Sequence, residues 1–114
     1  MATDVYKMAK EDVYAEVMAE FELNYAADLC GSPIEIAKAY KLRSSFIQTA
    51  KDIINALFQV RKDEAARDFI VWAMCISGCR YAKKWIDNRE AINGAAIEEA
   101  LETIENGKMP KAPF

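Results

Sequence analysis

The 114-residue chain contains no histidine. Histidine is the usual general base, the partner of a nucleophilic serine or cysteine, and a ligand in many iron and zinc sites. Those chemistries are therefore excluded, and Ser44 and Ser45 have no histidine to activate them. The sequence predicts a protein without catalytic activity and without a cofactor.

Cysteine is scarce, because the chain has three and they cannot all pair with one another. Cys75 and Cys79 lie one helical turn apart, and with Cys30 they lack the fourth ligand and the C-x-x-C spacing of structural zinc sites. Free cysteine commonly packs as a small apolar side chain, so we expect all three in the core. Reduced thiols and the absence of a secretory leader in the first residues predict a cytoplasmic location.

Long apolar runs are absent as well. The longest uncharged one, residues 69–79, is shorter than the roughly 20 residues that cross a bilayer, so no membrane association is expected. Four glycines and three prolines are few for a chain of this length. Apolar residues otherwise recur every three or four positions, which is the period of an amphipathic helix.

This pattern predicts an all-α fold, an antiparallel helical bundle of three long helices plus a shorter C-terminal helix and an extended tail. Residues 1–107 form a single helical-bundle domain in this prediction, and residues 108–114 form the extended C-terminal tail. The predicted helices span residues 4–30, 33–60, 64–86 and 95–106.

Two serine patterns bear on the second helix. Residues 32–35, Ser-Pro-Ile-Glu, combine a capping box with proline at the first helical position, which predicts a helix start. Ser45 with Gln48 three residues later is a second capping-box pattern. The helix therefore either runs unbroken to about residue 60 or restarts at Ser44 and Ser45.

The third predicted helix, residues 64–86, is apolar around more than half of its circumference. At about 100° per residue its apolar positions fill an arc of roughly 200°, whereas a helix on one side of a core needs roughly 100°. The helix is then either central in its bundle or shared with another subunit, and we expect a homo-oligomer. Candidate interface residues are Met74, Gly78, Trp85 and Phe114.

Charge is uneven along the chain although the net charge is only −3. Residues 1–36 hold eight acids and two bases, residues 37–85 four acids and ten bases, and residues 86–114 six acids and three bases. Opposed blocks of this kind favour contacts between the chain's own helices or head-to-tail contacts between copies. The acidic total argues against nucleic acid as a partner.

The basic middle block predicts a binding surface for an acidic protein or for a small anion such as a nucleotide, with a tyrosine stacked on the base. The simpler alternative is a set of solvated cations that complement a helix dipole. Candidate binding residues are Tyr40, Lys41, Arg43, Arg80, Tyr81, Lys83 and Lys84.

Glu98, Glu99 and Glu102 place carboxylates on neighbouring turns of the last helix, a spacing that suits Mg²⁺. The arrangement is similar to half of the motif in all-α nucleotide pyrophosphatases of the MazG type, which add Glu-x-x-Asp on a downstream helix. This chain has no such second half, and a solvated acidic face explains the glutamates more simply. A Mg²⁺-dependent nucleotide phosphohydrolase remains a second alternative.

Together these features predict a small non-catalytic helical protein that binds a protein partner, as an adaptor or as an inhibitor of the kind that bacteriophages direct at host machinery. The comparison with phage inhibitors rests on size and style alone. The main alternative is an oligomer that sequesters a nucleotide or another small anion.

Overall fold

The computed structural model describes residues 15–24 and 27–114, and the α-helical class predicted from the sequence is confirmed. The described part of helix α1 covers residues 15–24, and residues 4–14, 25 and 26 of the predicted first helix lie outside the described residues. The predicted end of that helix at residue 30 is wrong, because residues 27–30 are not helical and the Cys30 backbone pairs with Arg80 and Ala82 instead. Helix α1 is followed by α2 (Pro33–Gln59), α3 (Asp63–Ser77), α4 (Ala82–Asp87), a 3-10 turn (Arg89–Ala91) and α5 (Gly94–Glu105). Over the described ranges no strand is present, and Cys30 and Tyr81 form an isolated parallel bridge.

Helix α2 is continuous over 27 residues and begins at the predicted cap. The Glu35 N–H donates to the Ser32 hydroxyl at 3.3 Å, and the Ser32 N–H donates to a Glu35 carboxylate oxygen at 3.0 Å. The second serine pattern does not restart the helix. The Ser44 hydroxyl instead donates to the Tyr40 carbonyl at 2.7 Å, a bond between neighbouring turns of the helix.

The prediction of one helix over residues 64–86 is wrong, because α3 ends at Ser77 and α4 is a separate helix of six residues. The connection between them is held by the segment that follows α1. The Cys30 N–H donates to the Arg80 carbonyl at 2.7 Å, and the Ala82 N–H donates to the Cys30 carbonyl at 3.0 Å. These two bonds lie where the helical path is interrupted between α3 and α4, so residues 64–86 do not form one long helix.

Gly31 shows how closely this segment approaches α4. Its φ of +152° is rarely adopted by residues with a side chain, and a Cβ placed there would lie 3.1 Å from the Ala82 Cβ. Gly31 therefore lets the chain pass against α4.

Aromatic side chains fill the centre of the core. The Phe46 ring lies edge-on to both Trp72 and Trp85, with 5.9 Å between ring centroids in each pair. The Phe114 ring packs on Trp85 at 5.1 Å, and the Trp72 indole donates to the Lys111 carbonyl at 3.3 Å. Residues 108–114 are not helical and lie against this core.

The expectation that the cysteines are core residues is wrong for two of the three. Cys30 and Cys75 are exposed and Cys79 is half-buried, and all three are free thiols. Cys30 contributes its backbone, not its side chain, to the contact with α4, and Cys75 lies on the outward face of α3, one turn from exposed Val71. No helix within the described ranges is long and apolar enough to span a bilayer.

Candidate functional site

A groove between α2 and α4 combines positive charge with an apolar floor. It has a volume of about 400 Å³ and is lined by Lys38, Lys41, Leu42, Ile86 and Arg89, which we call the α2/α4 groove. The lining holds three cations, two aliphatic side chains and no carboxylate. An acidic ligand with an apolar side is chemically matched to it.

Helix periodicity places the α2 half of the groove. Lys38, Lys41 and Leu42 are spaced i, i+3 and i+4, so they share one face of the helix. Ala39 and Phe46 are buried in the core. The two lysines are exposed and Leu42 is half-buried, which leaves the aliphatic side chain at the base of the groove.

The α4 half is set by the burial of Ala82 and Trp85, which fix the orientation of this short helix. Ile86 is then half-buried at the edge of the helix, and Arg89 follows in the 3-10 turn. An Arg89 guanidinium nitrogen donates to the Ile86 carbonyl at 2.9 Å, which holds the charge beside the apolar floor.

The cations of the groove form no ion pair with a carboxylate among the described residues. Residues 36–50 of α2 contain no aspartate or glutamate. Neither Lys38, Lys41 nor Arg89 forms a salt bridge with a carboxylate in the described part of the chain, where the ion pairs are Lys51 with Glu22 and Lys62 with Glu105. Cations left without acidic partners are available to a ligand.

The Glu35 carboxylate at the start of α2 is already engaged. Hydrogen bonds from the Ser32 backbone and then its hydroxyl lower the pKa of Glu35, and the charge of Lys83 on α4 adds a smaller effect in the same direction. Lys83 thus lies close enough to α2 to act on its first turn.

Arg43, a predicted ligand-binding residue, is 2% exposed and lies beneath the surface. Its guanidinium donates to the Ala27 carbonyl at 2.8 Å and lies 6.0 Å from the Tyr40 ring centre. Arg43 therefore fastens the segment between α1 and α2 to the bundle, and Tyr40 is partly exposed above it.

The other predicted binding residues lie outside the groove. Arg80 and Tyr81 belong to the α3–α4 connection, and Lys83 and Lys84 are exposed on α4. The Lys84 ammonium lies 5.5 Å from the centre of the Tyr81 ring, a cation–π contact that occupies one face of the ring. Of the predicted set, Lys41 alone lines the groove.

The candidate binding residues predicted from the sequence left out Lys38, Leu42, Ile86 and Arg89. Ile86 was placed at the end of a continuous third helix, and Arg89 lay between the predicted helices. The i, i+3, i+4 spacing of Lys38, Lys41 and Leu42 was a readable signal for half of the groove. The α4 half depends on the end of the helix at Ser77 and the start of a new one at Ala82, and no local sequence pattern predicted this interruption.

The candidate interface residues have different environments. Trp85 is fully buried against Phe46 and Phe114, so its side chain is not on the surface of the chain. Gly78 is exposed, and a Cβ there would meet the Met74 carbonyl at an ordinary 3.6 Å, so among the described residues no other backbone approaches it closely. The broad apolar arc arose from treating α3 and α4 as one helix.

Glu98, Glu99 and Glu102 are all exposed on α5. Among residues 15–24 and 27–114, no three aspartate, glutamate or cysteine side chains are grouped where they could hold a metal ion. The three glutamates do not form a metal centre with other described residues.

A larger groove of about 700 Å³ lies between the start of α3 and the end of α5. Its lining mixes cations with carboxylates, and the Lys62 ammonium and a Glu105 carboxylate oxygen at its edge are 3.4 Å apart. Because its charges neutralise one another, this groove favours neither anionic nor cationic ligands. The smaller α2/α4 groove is the better candidate.

Comparisons with protein-family models, with curated proteins and with solved structures find no match to this chain.

Proposed function

We propose that the protein is a non-catalytic binding protein whose α2/α4 groove takes an acidic amphipathic segment of a partner protein. The observation that carries this proposal is the lining of the groove. Lys38, Lys41 and Arg89 surround Leu42 and Ile86, and no carboxylate lies among them. Grooves of this composition receive a helix whose apolar side chains contact the floor and whose acids meet the cations.

A nucleotide fits the groove less well. No aromatic side chain lines it, so a base has no ring on which to stack. Phosphate sites commonly use free N–H groups at a helix start, whereas Lys38 and Lys41 lie beyond the first turn of α2, where N–H groups are bonded within the helix. The apolar floor also offers nothing to an inorganic anion.

An adaptor or an inhibitor acts through a surface of this kind without chemistry of its own. The three free thiols, two of them exposed, are consistent with work in a reducing compartment such as the cytoplasm. The absence of histidine supports the same non-catalytic role.

The proposal is tested with a fluorescent synthetic peptide that forms a helix with glutamates beside a row of leucines. Binding measured by anisotropy should be lost or weakened about tenfold or more in a Lys38→Glu, Lys41→Glu, Arg89→Glu variant, because attraction becomes repulsion. The matched control reverses three exposed cations elsewhere, Arg67, Lys108 and Lys111, and should bind as the unmodified protein does.

Unlabelled ATP serves as the competitor. The proposal expects no displacement of the peptide at concentrations that leave ionic strength unchanged. Equal loss in both reversal variants would mean non-specific charge attraction and would refute the groove, and displacement by ATP would favour anion sequestration instead.

A further inference from the structure

A second groove, between α1 and α3, has the opposite charge. It has a volume of about 460 Å³ and is lined by Glu16, Val17, Ala19, Glu20, Leu23 and Met74, which we call the α1/α3 face. Its lining holds two carboxylates and no cation. The side chain of Leu23 is 69% exposed, so the face presents an apolar side chain beside its two carboxylates.

Polar contacts attach the end of α1 to the neighbouring helices. The Asn24 side-chain amide donates to the Ser77 hydroxyl at 2.9 Å, which joins the end of the described part of α1 to the end of α3. On the other side, Glu22 pairs with Lys51 of α2. Glu16 and Glu20 form no salt bridge within the described ranges, so their charges are left for a ligand.

Glu16, Glu20 and Leu23 follow one another at i, i+4 and i+7 on a single helix face. This is the pattern that the α2/α4 groove is suited to bind, with acids next to an apolar side chain. Exposed Val71 and half-buried Met74, one turn apart on α3, extend the apolar surface beside it. The two grooves lie on different helix pairs of the chain.

We infer that the α1/α3 face of one copy of this chain binds the α2/α4 groove of a second copy. Glu16 and Glu20 meet Lys38, Lys41 and Arg89, and Leu23 meets the floor formed by Leu42 and Ile86. The inference rests on the proposed function, because the groove must accept an acidic amphipathic helix before it can accept this one. The contact joins two different surfaces, so a pair of copies keeps one free groove and one free face, and further copies add head to tail.

Self-association of this kind regulates the proposed binding. A groove filled by a neighbouring copy is closed to a partner protein, so the partner competes with assembly. Charge attraction over exposed surfaces is screened when the Debye length falls from about 10 Å at 0.1 M salt to about 3 Å at 1 M. Assembly should therefore weaken as salt rises, and partner binding should separate the copies.

The test uses the full chain in sedimentation velocity at low salt. The unmodified protein should grow in mass with concentration beyond 12.9 kDa. A face variant, Glu16→Lys with Glu20→Lys, and a groove variant, Lys38→Glu with Lys41→Glu and Arg89→Glu, should each be monomeric. A control variant, Glu98→Lys with Glu102→Lys, changes exposed acids of α5 and should assemble normally.

Mixing the two monomeric variants gives the decisive result. The face variant still has an intact groove and the groove variant still has an intact face, so the mixture should form heterodimers. The two altered surfaces are again opposite in charge, so heterodimers can add further copies with the two variants in alternation. Circular dichroism of each variant confirms that it is folded, and formation of the heterodimer itself requires both to be folded.

An unmodified chain that stays monomeric, or a mixture of folded variants that forms no heterodimer, would overturn the inference. If the synthetic acidic peptide still binds the groove in that case, the proposed function stands without self-association. If the peptide fails as well, the groove itself is not a binding site.

Discussion

The indole nitrogen of Trp85 donates a hydrogen bond to the backbone carbonyl of Cys79, with 2.8 Å between the two atoms. Trp85 is fully buried, so the donor and the acceptor satisfy each other away from water. The bond holds the connection between α3 and α4 against the core. It therefore fixes the orientation of the helix that forms one wall of the α2/α4 groove.

Replacing Trp85 with phenylalanine should lower the free energy of unfolding by about 1–3 kcal/mol, because the Cys79 carbonyl loses its donor. Trp72→Phe is the matched control, since the Trp72 indole donates over 3.3 Å to Lys111 in the terminal segment. Denaturant unfolding of both variants should show the larger loss for Trp85. A larger loss for Trp72 would show that the bond to Cys79 is not what holds α4.

Substitutions at Arg43 and Lys41 distinguish a structural role from a role in ligand binding. Arg43→Met should cost about 1–3 kcal/mol of stability, because the part-buried bond from the guanidinium to the Ala27 carbonyl is lost. Lys41→Met, two positions away on an exposed site, should change stability by less than about 0.5 kcal/mol and should weaken peptide binding. The opposite pattern, with Arg43→Met stable but defective in binding, would place Arg43 in the site.

The capping box makes stability depend on pH. Because the pKa of Glu35 is lowered in the folded protein from its ordinary value of 4.5, the unfolded chain takes up this proton first as pH falls. The stabilisation is therefore complete above about pH 4.5 and disappears as pH falls through the lower folded pKa. Unfolding curves between pH 6 and pH 3 should show a shallower acid loss for Glu35→Gln than for the unmodified protein.

Glu98→Gln removes an exposed carboxylate of α5 and is the control for that measurement. It should retain the pH dependence of the unmodified protein. An identical acid loss in Glu35→Gln and in the unmodified protein would show that the hydrogen bonds from Ser32 do not stabilise the ionised carboxylate.

Local patterns in the sequence were sufficient wherever neighbouring residues determine the structure. Ser32 and Glu35 cap α2 within four residues of one another, and the start of that helix was predicted correctly. The same logic could not exclude the pattern at Ser45. Phe46 and Ile47 are buried immediately after it, and packing of this face favours a continuous helix over a restart.

Long-range contacts explain what the sequence did not predict. The interruption of the helix after Ser77 depends on backbone hydrogen bonds with Cys30, about 50 positions earlier. The residues around Gly78 give no indication in the sequence of this distant partner. The groove could not be predicted for the same reason, because Ile86 and Arg89 lie near Leu42 only when α4 packs beside α2. Charge patterning pointed to the basic middle of the chain but could not select which cations share a groove.

The most direct test of the central claim is an NMR titration of isotopically labelled protein with the synthetic acidic peptide. The account predicts saturable shifts of backbone amides around Lys38, Lys41, Leu42, Ile86 and Arg89, with the end of α5 near Glu102 unchanged. Shifts centred on Arg80, Tyr81 and Lys84, or an absence of saturable shifts, would contradict the assignment of the α2/α4 groove as the binding site.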